Sequence, residues 1–114
     1  MIPPEGAGEA SVLREASQAA SKAADNVNDF TVSNKHLMDA GRRWQKFNTN
    51  SKDLVNQWVE ERLRSGDAQF LPNNQEGSYK IITDLGETIG TKGESKIQII
   101  VGGDGKIWTA YPIK

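Results

Sequence analysis

The strongest constraint on the fold of this chain is the pattern of its last residues, from Lys96 onward. Over Lys96–Ile99 isoleucine alternates with polar side chains before an apolar run to Val101, and over Trp108–Tyr111 apolar residues alternate with residues that carry hydroxyls. Between them, Gly103–Asp104 or Asp104–Gly105 supplies the residues that tight turns prefer. Period-two alternation of β-branched and aromatic residues around such a turn predicts a β-hairpin.

Either two-residue turn leaves the same side chains on each face of this hairpin. The two turns change the pairing register by two residues, and because side chains alternate between the faces every residue, a shift of two leaves each side chain on its own face. One face holds the apolar residues Ile97, Ile99, Val101, Trp108 and Ala110. We expect this face to pack on the core. The other face holds Lys96, Gln98, Thr109 and Tyr111, about 7 Å apart along a strand. A three-residue loop would exchange the faces.

Helical patterns precede the hairpin. Residues 1–9 are typical of a tether, and residues 10–27 predict a marginal helix that connects more than it packs. Stronger helices are predicted over Asn34–Phe47, capped by Ser33, and over Lys52–Arg64, capped by Asn50 or Ser51 with Gly66 at C′. Their apolar stripes indicate that Trp44 and Trp58 lie in the core.

The middle of the chain predicts one further strand. Residues 67–78 form a polar loop, Tyr79–Leu85 alternates as a strand, and residues 86–95 are a glycine-interrupted turn region with room for a short strand. Helices followed by antiparallel strands define the α+β class. We expect a linker with a weak helix over residues 1–30 and one domain over residues 31–114.

Composition excludes several kinds of site. The chain has no cysteine and one histidine, which excludes disulfides, a thiolate nucleophile and a histidine-rich metal cluster. Carboxylates are not paired as a two-metal nuclease requires, so no metal or other cofactor is expected. The chain lacks an apolar run long enough to span a membrane and begins without a secretory signal. It either stays in the cytoplasm or is a piece of a longer secreted protein.

Charge is distributed unevenly along the chain. The net charge is −1, yet residues 31–66 carry seven basic and four acidic side chains, a net of +3. Lys35, Arg42, Arg43 and Lys46 fall on the predicted Asn34–Phe47 helix, where His36 lies in the first turn beside free backbone N–H groups. This pattern is compatible with phosphate binding and, alternatively, with a solvated basic surface.

The polar hairpin face has the same two interpretations. A lysine ammonium can neutralise charge on phosphoryl oxygens, and the hydroxyls of Thr109 and Tyr111 can donate hydrogen bonds to them. Thr and Tyr are also simply good strand formers.

Two segments resemble a known family. Ser33-Asn34-Lys35-His36-Leu37 and the final Gly105-Lys106-Ile107-Trp108-Thr109-Ala110-Tyr111-Pro112 resemble the C-terminal toxin domains of contact-dependent growth inhibition effectors. The likeness covers residues 31–114 and is to the barnase–EndoU–colicin E/D–RelE type of ribonuclease fold. It implies helices packed on an antiparallel sheet and a metal-independent endoribonuclease, often acting on transfer RNA.

The resemblance also implies a biological setting. The domain would be secreted at the end of a larger effector, delivered to the target-cell cytoplasm without inserting into the membrane itself, and neutralised by a cognate immunity protein. A host translation factor such as elongation factor Tu is a candidate partner that would present the RNA.

The resemblance carries His36, Thr109 and Tyr111 over as active-site residues. We expect attack of the ribose 2′-hydroxyl on the adjacent phosphate, leaving a cyclic phosphate. His36 serves one proton transfer, and Lys96 or Tyr111 the other. Substrate would be held by Lys35, Arg42, Arg43, Lys46 and Gln98. Two alternatives stay open, namely a non-catalytic protein-interaction module and a metal-dependent DNase.

Overall fold

The structure, a computed structural model, describes residues 4–40, 44–65 and 67–114, with side chains described from residue 14 onward except residue 28. Its helices are α1 (Pro4–Asp25) and α2 (Lys52–Ser65), with short 3-10 turns at Val27–Asp29 and Asn34–His36. The strands are β1 (Gln69–Pro72), β2 (Ser78–Asp84), β3 (Lys96–Gly102) and β4 (Ile107–Ile113). The α+β class predicted from the sequence is confirmed.

The four strands form one antiparallel sheet in the order β1-β2-β3-β4. Cross-strand partners share a face, so the register defines two faces. The inner face packs against α1 and α2 and includes Ile81, Ile97, Ile99, Val101 and Ala110, all 1% exposed or less. The outer face includes Lys80, Ile82, Asp84, Lys96, Gln98, Ile100, Thr109, Tyr111 and Ile113.

The closing hairpin contains a three-residue loop and a bulge, each of which reverses the alternation of side chains between the two faces, so that their effects cancel. Gly102 N–H donates to the Lys106 carbonyl at 2.8 Å, and Gly105 N–H donates to the Gly102 carbonyl at 3.0 Å. The loop is therefore Gly103–Gly105, three residues long, which reverses parity at Ile107. A bulge then leaves Trp108 without a partner, since Ile100 pairs with Thr109 while Val101 pairs with Ile107. From Thr109 onward the predicted faces are restored.

This geometry corrects the position of Trp108. The sequence predicted it on the core face, but Ile107 packs against the core instead and Trp108 is 45% exposed. The prediction that Lys96, Gln98, Thr109 and Tyr111 share the opposite face is confirmed by the register.

Helix α1 is longer and more buried than the sequence indicated. It begins at Pro4, inside the segment expected to be a tether, and a stripe of alanines faces the core: Ala16, Ala19, Ala20, Ala23 and Ala24 are at most 3% exposed. The expectation of a mere connector is therefore wrong. Alanine has high helix propensity and a small side chain, so the helix can approach the sheet closely.

The predicted helix over Asn34–Phe47 is wrong. In the described part of this segment, only Asn34–His36 forms a 3-10 turn, and Ser33 makes no side-chain capping bond. The backbone pairs with distant partners instead: Phe47 N–H donates to the His36 carbonyl at 2.7 Å and Met38 N–H to the Thr49 carbonyl at 3.0 Å. The anion site expected at a helix N-terminus is lost with the helix.

Core packing explains why the helical spacing misled. Leu37 and Phe47 are both buried, as the stripe predicted, but non-local contacts bury them without a helix. Trp44, expected between them in the core, is 44% exposed. Here the apolar spacing identified two buried residues but neither the backbone conformation between them nor the exposure of Trp44.

Among the remaining predictions, those for α2 hold and those for the segments between α2 and β3 change. Ser51 caps α2 by accepting the Leu54 N–H at 3.1 Å, and Trp58 packs on Phe47 with ring centroids 5.9 Å apart. Gly66, expected at C′, lies outside the described residues. Strand β1 falls where a polar loop was expected. In residues 86–95 the structure has an isolated bridge, from Gly90 to Phe47, instead of a short strand.

Candidate active site

His36 lies against the polar face of β4. Its ring stacks on Tyr111 with centroids 5.3 Å apart and planes at 25°, and it meets Trp44 edge-on at 6.5 Å and 79°. Its Nδ1 is 2.6 Å from the carbonyl oxygen of Gln45. A carbonyl can only accept, so Nδ1 carries the proton and the neutral ring keeps a lone pair on Nε2.

The surroundings of His36 favour the neutral ring. Burial lowers the pKa of His36 below the usual 6.5, the bond to the Gln45 carbonyl partly opposes this, and the nearby Lys35 ammonium lowers the pKa further. The side chain is 4% exposed. At neutral pH the imidazole is therefore a base with a fixed tautomer.

Tyr111 is oriented by Gln98. The two residues are directly paired across β3 and β4, and Gln98 Nε2 donates to the Tyr111 hydroxyl oxygen at 2.5 Å. Because the oxygen accepts this bond, the hydroxyl proton of Tyr111 remains free to be donated elsewhere. His36, Tyr111 and Gln98 thus form a connected group, and the structure brings these three predicted residues together.

Lys96 and Thr109 share the outer face with Gln98 and Tyr111. Lys96 lies two residues from Gln98 along β3, and Thr109 lies two residues from Tyr111 along β4, on opposite sides of the Gln98–Tyr111 pair. Lys96 pairs with Ile113 and with Asp84, and Thr109 pairs with Ile100. The pKa of the exposed Asp84 carboxyl is lowered, chiefly because Gly86 N–H donates to it and to a smaller extent by Lys96. The Lys96 ammonium is therefore close to a carboxylate as well as to the polar face.

Two of the predicted basic residues gather around Trp44. Lys35 Nζ lies 4.2 Å from the centre of the indole, a cation–π contact, and Lys46 Nζ donates to the Trp44 carbonyl at 3.3 Å. Lys46 is 9% exposed, so it does not lie on a solvated basic stripe as the helix predicted. Arg42 and Arg43 lie outside the described residues.

Two contributors to this site were missed by the sequence analysis. Trp44 was assigned to the core, and the Gln45 carbonyl that fixes the His36 tautomer carries no side-chain signal at all. The sequence around Trp44 would have indicated an exposed ring only if the segment Asn34–Phe47 had been recognised as non-helical. Backbone acceptors are positioned by the tertiary fold and leave no mark in composition.

The described ranges contain no group of three or more His, Cys, Asp or Glu side chains that could hold a metal ion. No helix in the same ranges is long and apolar enough to cross a membrane.

Comparison of the chain with protein-family models, with curated proteins and with solved structures gave no match.

Proposed function

We propose that this protein is a metal-independent endoribonuclease whose reaction centre is the pair His36 and Tyr111. One observation carries the proposal: His36, with its Nδ1 proton held by the Gln45 carbonyl, stacks on a tyrosine whose hydroxyl is oriented by Gln98. Two groups suited to proton transfer thus lie side by side on the outer face of an antiparallel sheet.

The reaction divides between these two groups. The Nε2 lone pair of His36 takes the proton of a ribose 2′-hydroxyl, and the resulting oxygen attacks the adjacent phosphorus. The bond from phosphorus to the 5′-oxygen breaks, leaving a cyclic phosphate. Tyr111 or Lys96 gives the leaving oxygen its proton, and Lys35 with Thr109 stabilises charge on the phosphoryl oxygens.

The wider assignment follows the resemblance stated above. The fold would be of the barnase–EndoU–colicin–RelE type, and the domain would act as a toxin between competing bacteria. Its substrate would be transfer RNA, presented by elongation factor Tu, and a cognate immunity protein would neutralise it. The net charge of −1 supports a presenting factor, because the electrostatic share of RNA affinity is then small.

Cleavage of total RNA in EDTA tests the proposal. The wild type should give discrete cut transfer RNA, and His36→Ala should abolish the cuts. Because His36 is buried, Tyr111→Phe is the second variant: it keeps the stacked ring and removes only the hydroxyl, and should slow cleavage by about 10²–10⁴-fold if Tyr111 is the acid. Undiminished cleavage by folded His36→Ala protein would remove this residue from the mechanism.

A non-catalytic protein-interaction module is the second candidate, and the burial of His36 favours it. With 4% of its surface exposed and neighbours at Tyr111, Trp44 and Gln45, the imidazole would serve as a structural link. RNA that stays intact even with elongation factor added would favour this module. Nuclease activity that EDTA abolishes would favour a metal-dependent enzyme over both.

A further inference from the structure

Trp44 is an exposed aromatic ring next to the proposed reaction centre. Its exposed fraction is 44%, and its edge-on contact with His36 places it at 6.5 Å from the imidazole. An indole left this open forgoes burial of apolar surface. The ring is therefore available for a planar ligand.

The charges around Trp44 indicate what kind of ligand fits. Lys35 and Lys46 both contact this one residue, through its ring and its carbonyl respectively. Ion pairs in the described part of the chain involve Arg62 and Arg64, and neither lysine takes part in one. Trp44 is thus a half-exposed indole with one ammonium over one face of its ring and a second at its own carbonyl, and neither ammonium has a carboxylate partner among the described residues. This combination matches a nucleotide, whose base would stack on the face opposite Lys35 and whose phosphate would be neutralised by the lysines.

We propose that Trp44 is the stacking platform for a nucleobase, with Lys35 holding the phosphate of the same nucleotide beside His36. Lys46, whose ammonium lies at the Trp44 backbone carbonyl, adds positive potential nearby. This inference rests on the proposed function, because it names where the RNA base nearest the scissile bond lies. Stacking on an indole is tolerant of base identity, so the platform positions the RNA without selecting one base.

Binding of mononucleotides tests the platform directly. The four nucleoside 3′-monophosphates, each titrated separately into the full chain, should shift the indole N–H resonance of Trp44. Trp108 is the matched control, since it is equally exposed at 45% but lies on the β4 bulge near the hairpin loop, and its resonance should stay in place. Inorganic phosphate, as a further probe, should bind more weakly than any nucleotide.

Variants give the expected magnitude. Trp44→Ala should weaken nucleotide binding by roughly 5- to 150-fold, the range found for loss of one base–aromatic stack. Trp44→Phe, which keeps an aromatic face, should retain most of the affinity, and Trp108→Ala should retain all of it. Thermal unfolding of each variant establishes that the protein tested is folded.

Three results would overturn the inference: phosphate binding as tightly as the nucleotides, a Trp108 resonance that moves while Trp44 does not, or unchanged affinity in folded Trp44→Ala. Mononucleotides contain no internucleotide bond, so the measurement is independent of cleavage. Nucleotides that bind at Trp44 while RNA stays intact even with elongation factor added would leave the platform standing and refute the nuclease. RNA cleavage that requires His36, with no nucleotide binding at Trp44, would support the nuclease and refute the platform.

Discussion

At the scale of single residues, the neighbours of His36 determine its protonation. Burial, with a smaller contribution from Lys35, lowers its pKa, and the Gln45 carbonyl only partly opposes the shift. A general base must be unprotonated before it acts, and this environment keeps Nε2 free at neutral pH. The same environment makes the stability of the fold depend on pH.

The sign of that dependence follows from the direction of the shift. Between the lowered pKa of folded His36 and the usual 6.5 of the unfolded chain, the unfolded state binds more protons. The stabilising contribution is therefore fully present above pH 6.5 and is lost as the pH falls below it. Replacing His36 by Phe keeps a planar ring and removes the titration.

Urea unfolding between pH 7.5 and pH 5 measures the effect. The wild type should lose more stability over this range than His36→Phe, whatever the absolute stability of the variant. Carboxylates that titrate in both proteins cancel in the comparison. Equal losses in the two proteins would show that the pKa of His36 is not lowered in the fold.

At the scale of elements, the closing hairpin depends on its loop. Gly105 has φ of +88°, and a Cβ added there would lie 2.5 Å from Cβ of Lys22 in α1. The loop therefore needs glycine both for its backbone conformation and for its contact with the helix. The three-residue loop reverses the predicted alternation of side chains at Ile107, and the bulge at Trp108 then restores it from Thr109 onward.

Gly105→Ala should destabilise the fold, by roughly 1–2 kcal/mol from the left-handed conformation alone and further from the overlap with Lys22. Gly103→Ala is the matched control, because a Cβ there meets nothing closer than 3.6 Å. Chemical denaturation of both variants gives the comparison. If the two substitutions cost the same, the hairpin loop does not have the geometry described.

At the scale of the whole molecule, α1 completes the core. Ala19, Ala20, Ala23 and Ala24 of its alanine stripe lie in the same buried cluster as Val55 and Val59 of α2 and Ile97 and Ile99 of β3. Removing the helix would expose apolar surface on both α2 and the inner face of the sheet. A chain of this size buries too little surface to tolerate that loss.

A protein that begins at residue 31 should therefore fail to unfold cooperatively. Differential scanning calorimetry and near-ultraviolet circular dichroism measure this, with the full chain as reference. A sharp transition within a few degrees of the full chain would mean that α1 is dispensable to the core and that residues 31–114 fold alone.

Much of the fold was predictable because its signals are local. The helix α2 with its Ser51 cap, the strands β2, β3 and β4, and the membership of the polar hairpin face all follow from spacing over a few residues. The segment from Asn34 to Phe47 was not predictable in this way. Its backbone bonds run between residues far apart in the segment, and these outweigh its modest helix propensity.

By itself, the sequence determined the α+β class and placed Lys96, Gln98, Thr109 and Tyr111 on one face, because side-chain alternation along a strand is a local property. Tertiary structure alone decided that His36 stacks on Tyr111, that the Gln45 carbonyl fixes its tautomer, and that Trp44 and Trp108 are exposed. These features depend on contacts between residues far apart in the chain and on the bulge in β4. Such contacts arise from the packing of the whole fold, and the spacing of residues along a short segment does not indicate them.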